Sequence, residues 1–233
     1  MNSGTVSIVR IKPIQRDNMK LLYIEASPRK KNSCSSRVAN AFVAAYKQAN
    51  PQDEIEHLPL FDIELPVFSG EGADQKMAQI ADMMMGGTGI KVEGEWMSVV
   101  QEIDRLKSAD KVVISSPMWN FSIPYRLKHY FDLVCQPGLS FYVSEGQYIG
   151  MITGKPMQLI LASGSPYEVR FPLETDGTKT DFQRAYLEHI AHFIGFEDID
   201  VIKIEPTGMM APDALEELLV SKCEAAGKIA GKF

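Results

Sequence analysis

Residues 20–36 constrain the fold more than any other part of the chain, because they read as a strand, a polar loop and the start of a helix. An apolar run over 21–26 predicts a buried strand, and the Ser-Cys-Ser-Ser sequence at 33–36 predicts a helix N-terminus. First-turn amides lack intrahelical partners, and the helix dipole favours negative charge there. Together with the basic residues at 29–31, this segment predicts a site for a phosphate dianion. An ordinary serine-capped helix behind a basic loop is the alternative.

Apolar runs typical of strands alternate with helical patterns along the rest of the chain. The predicted strands are 20–26, 54–58, 111–116, 157–162 and 199–204, the predicted helices are 34–49, 74–85, 93–108, 123–135, 179–194 and 212–229, and residues 139–151 predict a β-hairpin that turns at Glu145-Gly146. This alternation predicts an α/β fold with a doubly wound, five-stranded parallel sheet in the order 2-1-3-4-5 and helices on both faces.

An aromatic segment follows the third predicted strand. The apolar run 112–114 leads into Pro117-Met118-Trp119-Asn120-Phe121. Ligands of doubly wound sheets bind beyond the carboxyl ends of the strands, so this segment offers flat faces, a thioether and an amide to a planar heterocycle. A loop of buried aromatics that caps the core is the alternative. Neither Gly-rich nucleotide motif follows the first strand, and a serine-lined loop favours a mononucleotide such as FMN.

The two segments together resemble the FMN-dependent NADH-azoreductases, which belong to the flavodoxin-like quinone reductase superfamily. The resemblance runs from Met19 to the C-terminus, and it implies a flavodoxin-like fold. It implies that the first loop holds the flavin phosphate, that the aromatic segment holds the isoalloxazine ring and that a short turn after the fourth strand completes the site. The implied cofactor-binding residues are Ser27, Ser33, Cys34, Ser35, Pro117, Met118, Trp119, Asn120, Phe121, Ser163, Gly164, Ser165 and Pro166.

The turn after the fourth strand departs from the family pattern. Family members commonly carry Ser-Arg-Gly-Gly there, whereas this chain has Ser163-Gly164-Ser165-Pro166. Because proline has no N–H, Pro166 has no backbone donor for a flavin carbonyl.

The resemblance further implies an enzyme that reduces quinones and azo compounds with NADH or NADPH as co-substrate. Hydride would pass from the nicotinamide to the flavin N5 and then to the acceptor in ping-pong order, so no catalytic side chain is expected. A homodimer with its sites at the subunit interface is also implied. The alternatives are a flavodoxin-type electron carrier without small-molecule turnover and a flavin-free binding protein. The insert at 66–95 and the hairpin argue against a minimal carrier.

Composition fits a cytoplasmic enzyme. The net charge of −6 disfavours a nucleic-acid partner, and the three scattered cysteines have neither disulfide-framework nor zinc-site spacing. His189 and His192 lie three apart with Glu188 beside them, a spacing that could hold a metal, but no further Cys or His lies nearby, so a half-exposed helix face and no metal are expected. No stretch reaches the roughly 18 apolar residues of a membrane span.

The chain is expected to form a single domain over residues 19–233. Residues 1–18 are interrupted by Arg10, Lys12 and Arg16, so they lack the apolar region of a secretory signal and are interpreted as an N-terminal leader or extension. The glycine cluster at 86–89 follows a helix rather than a strand and is interpreted as a linker near the mouth of the site.

Overall fold

The computed structural model describes residues 18–67, 69–85, 94–167, 181–208 and 210–233. Its strands are β1 (Lys20–Glu25), β2 (Glu54–Pro59), β3 (Lys111–Pro117), β4 (Phe141–Ser144), β5 (Gln147–Gly150), β6 (Pro156–Ala162) and β7 (Asp198–Ile204), and its helices are α1 (Cys34–Ala49), α2 (Gly70–Met84), α3 (Glu95–Ser108), α4 (Tyr125–Val134), α5 (Phe182–Ile194) and α6 (Pro212–Ala230). Each predicted strand and helix corresponds to one of these elements.

Five of the strands form one parallel sheet in the order β2-β1-β3-β6-β7, and β4 and β5 pair separately as an antiparallel hairpin. With the hairpin set aside, this is the predicted order 2-1-3-4-5. The carboxyl ends of the three central strands lie level, because Ile24 pairs with Ile114 and Ile114 with Leu159. The loops that follow β1, β3 and β6 therefore meet at one edge of the sheet.

Side chains of β1 alternate between two apolar clusters. Leu22 and Ile24 pack in one cluster with residues of α3, α4 and α5, whereas Leu21 and Tyr23 pack in the other with residues of α1 and α6. Successive side chains of a strand point to opposite faces of the sheet, so β1 is buried on both faces, as are β3 and β6. This explains why the three central strands read as mostly continuous apolar runs, whereas in the edge strands β2 and β7 apolar residues alternate with exposed or half-buried polar ones.

Helix boundaries follow local capping. The predicted start of α2 at residue 74 is wrong, because the Ser69 hydroxyl accepts hydrogen bonds from the N–H groups of Glu71 (3.1 Å) and Gly72 (3.3 Å) and the helix begins at Gly70. Likewise α4 begins at Tyr125 rather than at 123, with Pro124 in the cap position. Both shifts concern the end of an element, where sequence patterns carry least information.

The β4–β5 hairpin turns at Glu145 and Gly146, as predicted, with positive φ values of 51° and 76°. It lies against the end of α5 through two glycines. A Cβ added to Gly150 would lie 2.2 Å from the backbone N of Gly195, so only glycine allows this close approach. Phe141 completes the contact, with its ring centroid 4.5 Å from that of Phe193 on α5.

Four of the sequence interpretations concern residues outside the described ones: the leader over 1–18, of which only residue 18 is described, the linker at 86–89, and the helix starts predicted at 93 and at 179–180. Within the described ranges, no helix combines the length and apolar character that crossing a membrane requires.

Candidate functional site

A cleft of about 190 Å³ opens at the carboxyl edge of the sheet, between the loops that follow β1, β3 and β6. Seven of the predicted site residues line it: Ser27, Ser33, Cys34, Pro117, Met118, Trp119 and Gly164. The other predicted residues, which do not line the cleft but belong to the same three loops, are Ser35, Asn120, Phe121, Ser163, Ser165 and Pro166. The structure therefore brings the three predicted segments together at one place.

The first loop presents hydroxyls and unpaired amides. Ser33 caps α1 by accepting a hydrogen bond from the N–H of Ser36 (3.3 Å), and its hydroxyl lies 3.1 Å from that of Ser35. Among the described residues, none accepts a hydrogen bond from the N–H of Cys34 or of Ser35. Two first-turn donors at a helix N-terminus, beside two nearly buried hydroxyls, suit an anion.

Not all of the basic residues of this loop line the cleft. Lys30 forms an ion pair with Asp62 at 3.0 Å and is mostly exposed. Arg29 lines the cleft, and its N–H donates to the hydroxyl of Ser27 at 3.3 Å. Of the three basic residues at 29–31, Arg29 is thus the one that lines the cleft, and the sequence did not distinguish it from its two lysine neighbours.

The aromatic segment forms a tight turn. Trp119 and Ser122 exchange backbone hydrogen bonds of 2.9 and 3.0 Å, and the two residues between them, Asn120 and Phe121, have φ values of 48° and 70°. Left-handed backbone at both central positions is the hallmark of type I′ turns. Asparagine tolerates this conformation, but phenylalanine rarely adopts it, and such strain persists where the surroundings or a ligand maintain it.

The two aromatic side chains of the turn are not buried, which rules out the alternative of a core-capping loop. Trp119 is 37% exposed and Phe121 is 41% exposed. Trp119 lines the cleft and also contacts Phe61 and Tyr125, with ring centroids 5.7 and 6.1 Å away. Sequence reasoning missed Phe61 and Tyr125, although Tyr125 follows the aromatic segment within four residues.

The third loop is held by the segment after β7. The Ser163 carbonyl accepts hydrogen bonds from the N–H (2.9 Å) and the hydroxyl (3.0 Å) of Thr207, and the N–H of Gly208 donates to the Gly164 carbonyl at 3.0 Å. Thr207 also lines the cleft. It was missed as well, although its place after the fifth predicted strand was an available signal. No acceptor for the N–H of Gly164 or Ser165 occurs in the described ranges.

Three of the four histidines have structural partners. His192 Nδ1 lies 2.7 Å from the Phe196 carbonyl oxygen, and His129 Nε2 lies 2.8 Å from that of Pro66. His57 is paired with Glu25 at 3.0 Å. Within the part of the chain that is described, no three potential metal ligands cluster.

A parallel sheet in this order, with three loops meeting at its carboxyl edge, defines an α/β protein of the flavodoxin type. The sequence profile of the family described as flavodoxin-like fold matches residues 19–228. The chain is 42% identical over 213 residues to an FMN-dependent NADH:quinone oxidoreductase of Nitratidesulfovibrio vulgaris, covering 91% of this chain and 99% of that one. A second such oxidoreductase, from Desulfotalea psychrophila, is 41% identical over 212 residues, which cover 88% and 94% of the two chains.

Solved structures agree with this assignment. Azoreductase from Bacillus anthracis str. Sterne superimposes with a TM-score of 0.76 at 27% identity, covering 92% of this chain and all of that one. An FMN-dependent NADH-azoreductase from Bacillus anthracis str. Ames Ancestor, determined in complex with FMN, gives a TM-score of 0.72 at 27% identity and covers 91% and 99% of the two chains. The chain thus belongs to the family of FMN-dependent NADH:quinone oxidoreductases and azoreductases, as the sequence resemblance implied.

Proposed function

We propose that this protein is an FMN-dependent oxidoreductase that uses NADH to reduce quinones and, more slowly, azo compounds. The observation that carries the proposal is the cleft itself: helix amides without acceptors among the described residues and serine hydroxyls on one side, and an exposed tryptophan on the other, at the carboxyl edge of a parallel sheet. We infer that this doubly wound sheet has helices on both faces, because side chains of β1 pack with α3, α4 and α5 in one cluster and with α1 and α6 in the other. The named relatives support the same chemistry. When bound, FMN supplies the group that accepts and donates hydride.

The residues fit a flavin mononucleotide. The N–H group of Cys34 and the hydroxyls of Ser27 and Ser33 would hold the phosphate, with Arg29 beside them and Ser35 supporting the site from behind through its hydroxyl, 3.1 Å from that of Ser33. At about 190 Å³ the cleft is smaller than the roughly 300 Å³ at the lower end of ligand pockets, so the described residues enclose only part of such a cofactor.

The remaining predicted residues would contact the ring system. Pro117, Met118 and Trp119 line the cleft, and the N–H of Asn120 has no acceptor among the described residues. Phe121 adds a half-exposed ring that contacts Tyr167, with centroids 6.3 Å apart. Gly164 and Ser165 offer backbone donors to the polar edge of the ring, whereas Ser163 and Pro166 shape their turn.

A single pocket walled by Trp119 and Phe121 would serve the nicotinamide and the acceptor in turn. Because the two cannot occupy it together, oxidised nicotinamide must leave before a quinone binds, which is ping-pong behaviour. Apolar walls favour flat, hydrophobic acceptors. Quinones should react faster than azo dyes because they accept a hydride without breaking a nitrogen–nitrogen bond.

Steady-state kinetics test this function directly. With NADH and menadione varied together, we expect turnover and parallel double-reciprocal lines, and boiled protein should release a compound that co-migrates with FMN. Intersecting lines would show a ternary complex and remove the single-pocket mechanism. FMN release without any NADH oxidation would favour the electron carrier, and FAD in place of FMN would contradict the cofactor assignment.

We also propose a homodimer that places partner residues near each site. The hairpin supports it: Tyr148 and Tyr142 are 67% and 43% exposed, more aromatic surface than a monomer usually presents. Light scattering at micromolar concentration should give about twice the 26.0 kDa mass of one chain. A monomeric mass with full activity would contradict the dimer.

A further inference from the structure

The first turn of α5 contacts the ends of two different strands at the cleft. Gln183, which is buried, donates through Nε2 to the carbonyl oxygen of Ser116 at 3.1 Å and to its hydroxyl at 3.3 Å. Ser116 immediately precedes the aromatic segment. Gln183 therefore ties α5 to the end of β3, at the point where the chain leaves the sheet to form the 119–122 turn.

The residue that caps the same helix takes part in a small ion cluster. Asp181 accepts a hydrogen bond from the N–H of Arg184 at 3.0 Å through Oδ1, and its Oδ2 lies 3.1 Å from Lys203 Nζ. The same ammonium lies 2.9 Å from Oε1 of Glu205. The other carboxylate oxygen, Oε2, accepts a hydrogen bond of 3.0 Å from the hydroxyl of Ser163. The cluster thus joins α5, β7 and the turn that follows β6.

The charged side chains of this cluster are sufficiently shielded from solvent for their electrostatic interactions to be significant. The side chains of Asp181, Lys203 and Glu205 are 13%, 29% and 15% exposed. Burial acts to lower the pKa of Lys203, but its hydrogen bonds to Glu205 and Asp181 outweigh burial and raise it. Without the ammonium, two partly buried carboxylates would be left without their shared cation, and they would repel each other.

The hydroxyl of Ser163 links the Glu205 carboxylate to the turn that follows β6. Its hydroxyl oxygen lies 3.0 Å from the Ser165 carbonyl oxygen and 3.0 Å from the Glu205 carboxylate. A hydroxyl has one proton, and neither of these acceptors can donate one in return while Glu205 is ionised. The two acceptors therefore share that proton, and displacement of Glu205 changes the hydrogen bond that closes the turn at Ser165.

None of Asp181, Gln183, Lys203 or Glu205 lines the cleft. We propose that Gln183 and Lys203 are positioning residues, which clamp the 119–122 turn and the 163–166 turn, respectively, to the first turn of α5. The clamp fixes the spacing of two of the three loops that would hold FMN, and in this respect the inference rests on the proposed function. The pairing of β3 with β6, which continues in the N–H of Met118 donating to the Ala162 carbonyl at 2.7 Å, sets the register of the two turns, and the clamp adds α5 as a second element that holds them.

Two substitutions each remove one arm of the clamp. Lys203→Met keeps most of the stem but removes the ammonium, and Gln183→Leu removes the amide donor at similar volume. Lys203→Arg is the control that retains the charge. In FMN-free protein, amide hydrogen exchange should accelerate at least about fivefold at the hydrogen-bonded amides of Ser163, Thr207 and Gly208 in Lys203→Met, and at those of Met118, Trp119 and Ser122 in Gln183→Leu. Lys203→Arg, and Lys228→Met at an exposed site of α6, should remain within about twofold of wild type.

Both clamp variants should bind FMN at least about fivefold more weakly than wild type. They should also alter the visible absorption band and the fluorescence quenching of the bound flavin. A role in stability alone would lower the melting temperature but leave the spectrum and the affinity unchanged. Exchange and affinity within about twofold of wild type in both variants would overturn the clamp. If Lys203→Met does not fold, the Gln183→Leu variant, which leaves the ion cluster intact, still tests the contact between α5 and the end of β3.

The hydrogen-exchange measurement needs no cofactor, so it separates this inference from the proposed function. Altered local exchange in a protein that neither binds FMN nor oxidises NADH would support the clamp and refute the function. If the wild-type protein oxidises NADH with menadione, while exchange and affinity are unchanged in both variants, the function would be supported and the clamp refuted.

Discussion

Replacing Cys34 by Asp is expected to lower the affinity for FMN at least about 100-fold, or ~3 kcal/mol, because like charges placed together cost several kcal/mol. Cys34 is the first residue of α1, lines the cleft and is partly exposed. A carboxylate there would occupy the place proposed for the phosphate and repel its negative charge.

The same substitution should not destabilise the FMN-free protein. A carboxylate in the first turn of a helix interacts favourably with the unpaired amides and the dipole, by about 0.3–1 kcal/mol. The free energy of unfolding of FMN-free Cys34→Asp should therefore be equal to or slightly above that of wild type. Loss of binding with retained stability distinguishes an anion site from a general defect in folding.

The matched control is Cys34→Asn, which has nearly the same shape as Asp and no charge. It should bind FMN within about tenfold of wild type, since it keeps the helix amides and adds no repulsion. Fluorescence titration of FMN measures both variants. Equal affinities for the Asp and Asn variants would place the phosphate elsewhere, and the first loop would then be only a serine-capped helix.

Much of the fold was predictable from local pattern. Strands such as β1 and β3 are buried on both faces and read as continuous apolar runs. The start of α1 was predicted by its capping residue, Ser33. Parallel strand order followed from the alternation of strands and helices. The start of α2 was misplaced because one hydroxyl, that of Ser69, extends the helix into a stretch with little periodicity.

The candidate site was predictable where it is contiguous in sequence and not where it depends on distant contacts. Ser33 and Cys34 lie in one segment whose composition predicted that they belong to the candidate site, and both line the cleft. Thr207 reaches the Ser163 carbonyl from 44 residues away, and Gln183 reaches Ser116 from 67 residues away. No local pattern encodes these bonds, because they exist only once β6, β7 and the first turn of α5 are packed side by side.

The strain in the aromatic turn was also invisible in the sequence. Asn120 is a residue that adopts left-handed backbone, but the residue after it is an aromatic one with a φ of 70°. A non-glycine residue pays about 1–2 kcal/mol for this conformation. A glycine at residue 121 would form the turn more easily, and a strained backbone of this kind motivates the hypothesis that the ring of Phe121 has a function.

Comparing Phe121→Gly with Phe121→Ala should separate the backbone strain from the function of the ring. Both variants lose the aromatic ring, but only glycine accepts a positive φ without strain. In FMN-free protein, Phe121→Gly should be more stable than Phe121→Ala by about 1 kcal/mol, the strain relieved less the greater chain entropy of glycine. Urea unfolding monitored by circular dichroism measures this difference.

Catalysis should respond to the ring and not to the strain. If Phe121 forms a wall of the acceptor pocket, both variants should lose at least about fivefold in kcat/KM for menadione, since an aromatic wall contributes about 1 kcal/mol or more of apolar contact. Their losses should agree with each other although their stabilities differ. Recovery of activity in the glycine variant would mean that turn geometry, rather than the phenyl ring, limits turnover. Wild-type activity in both would remove Phe121 from the pocket and leave its left-handed backbone without a functional explanation.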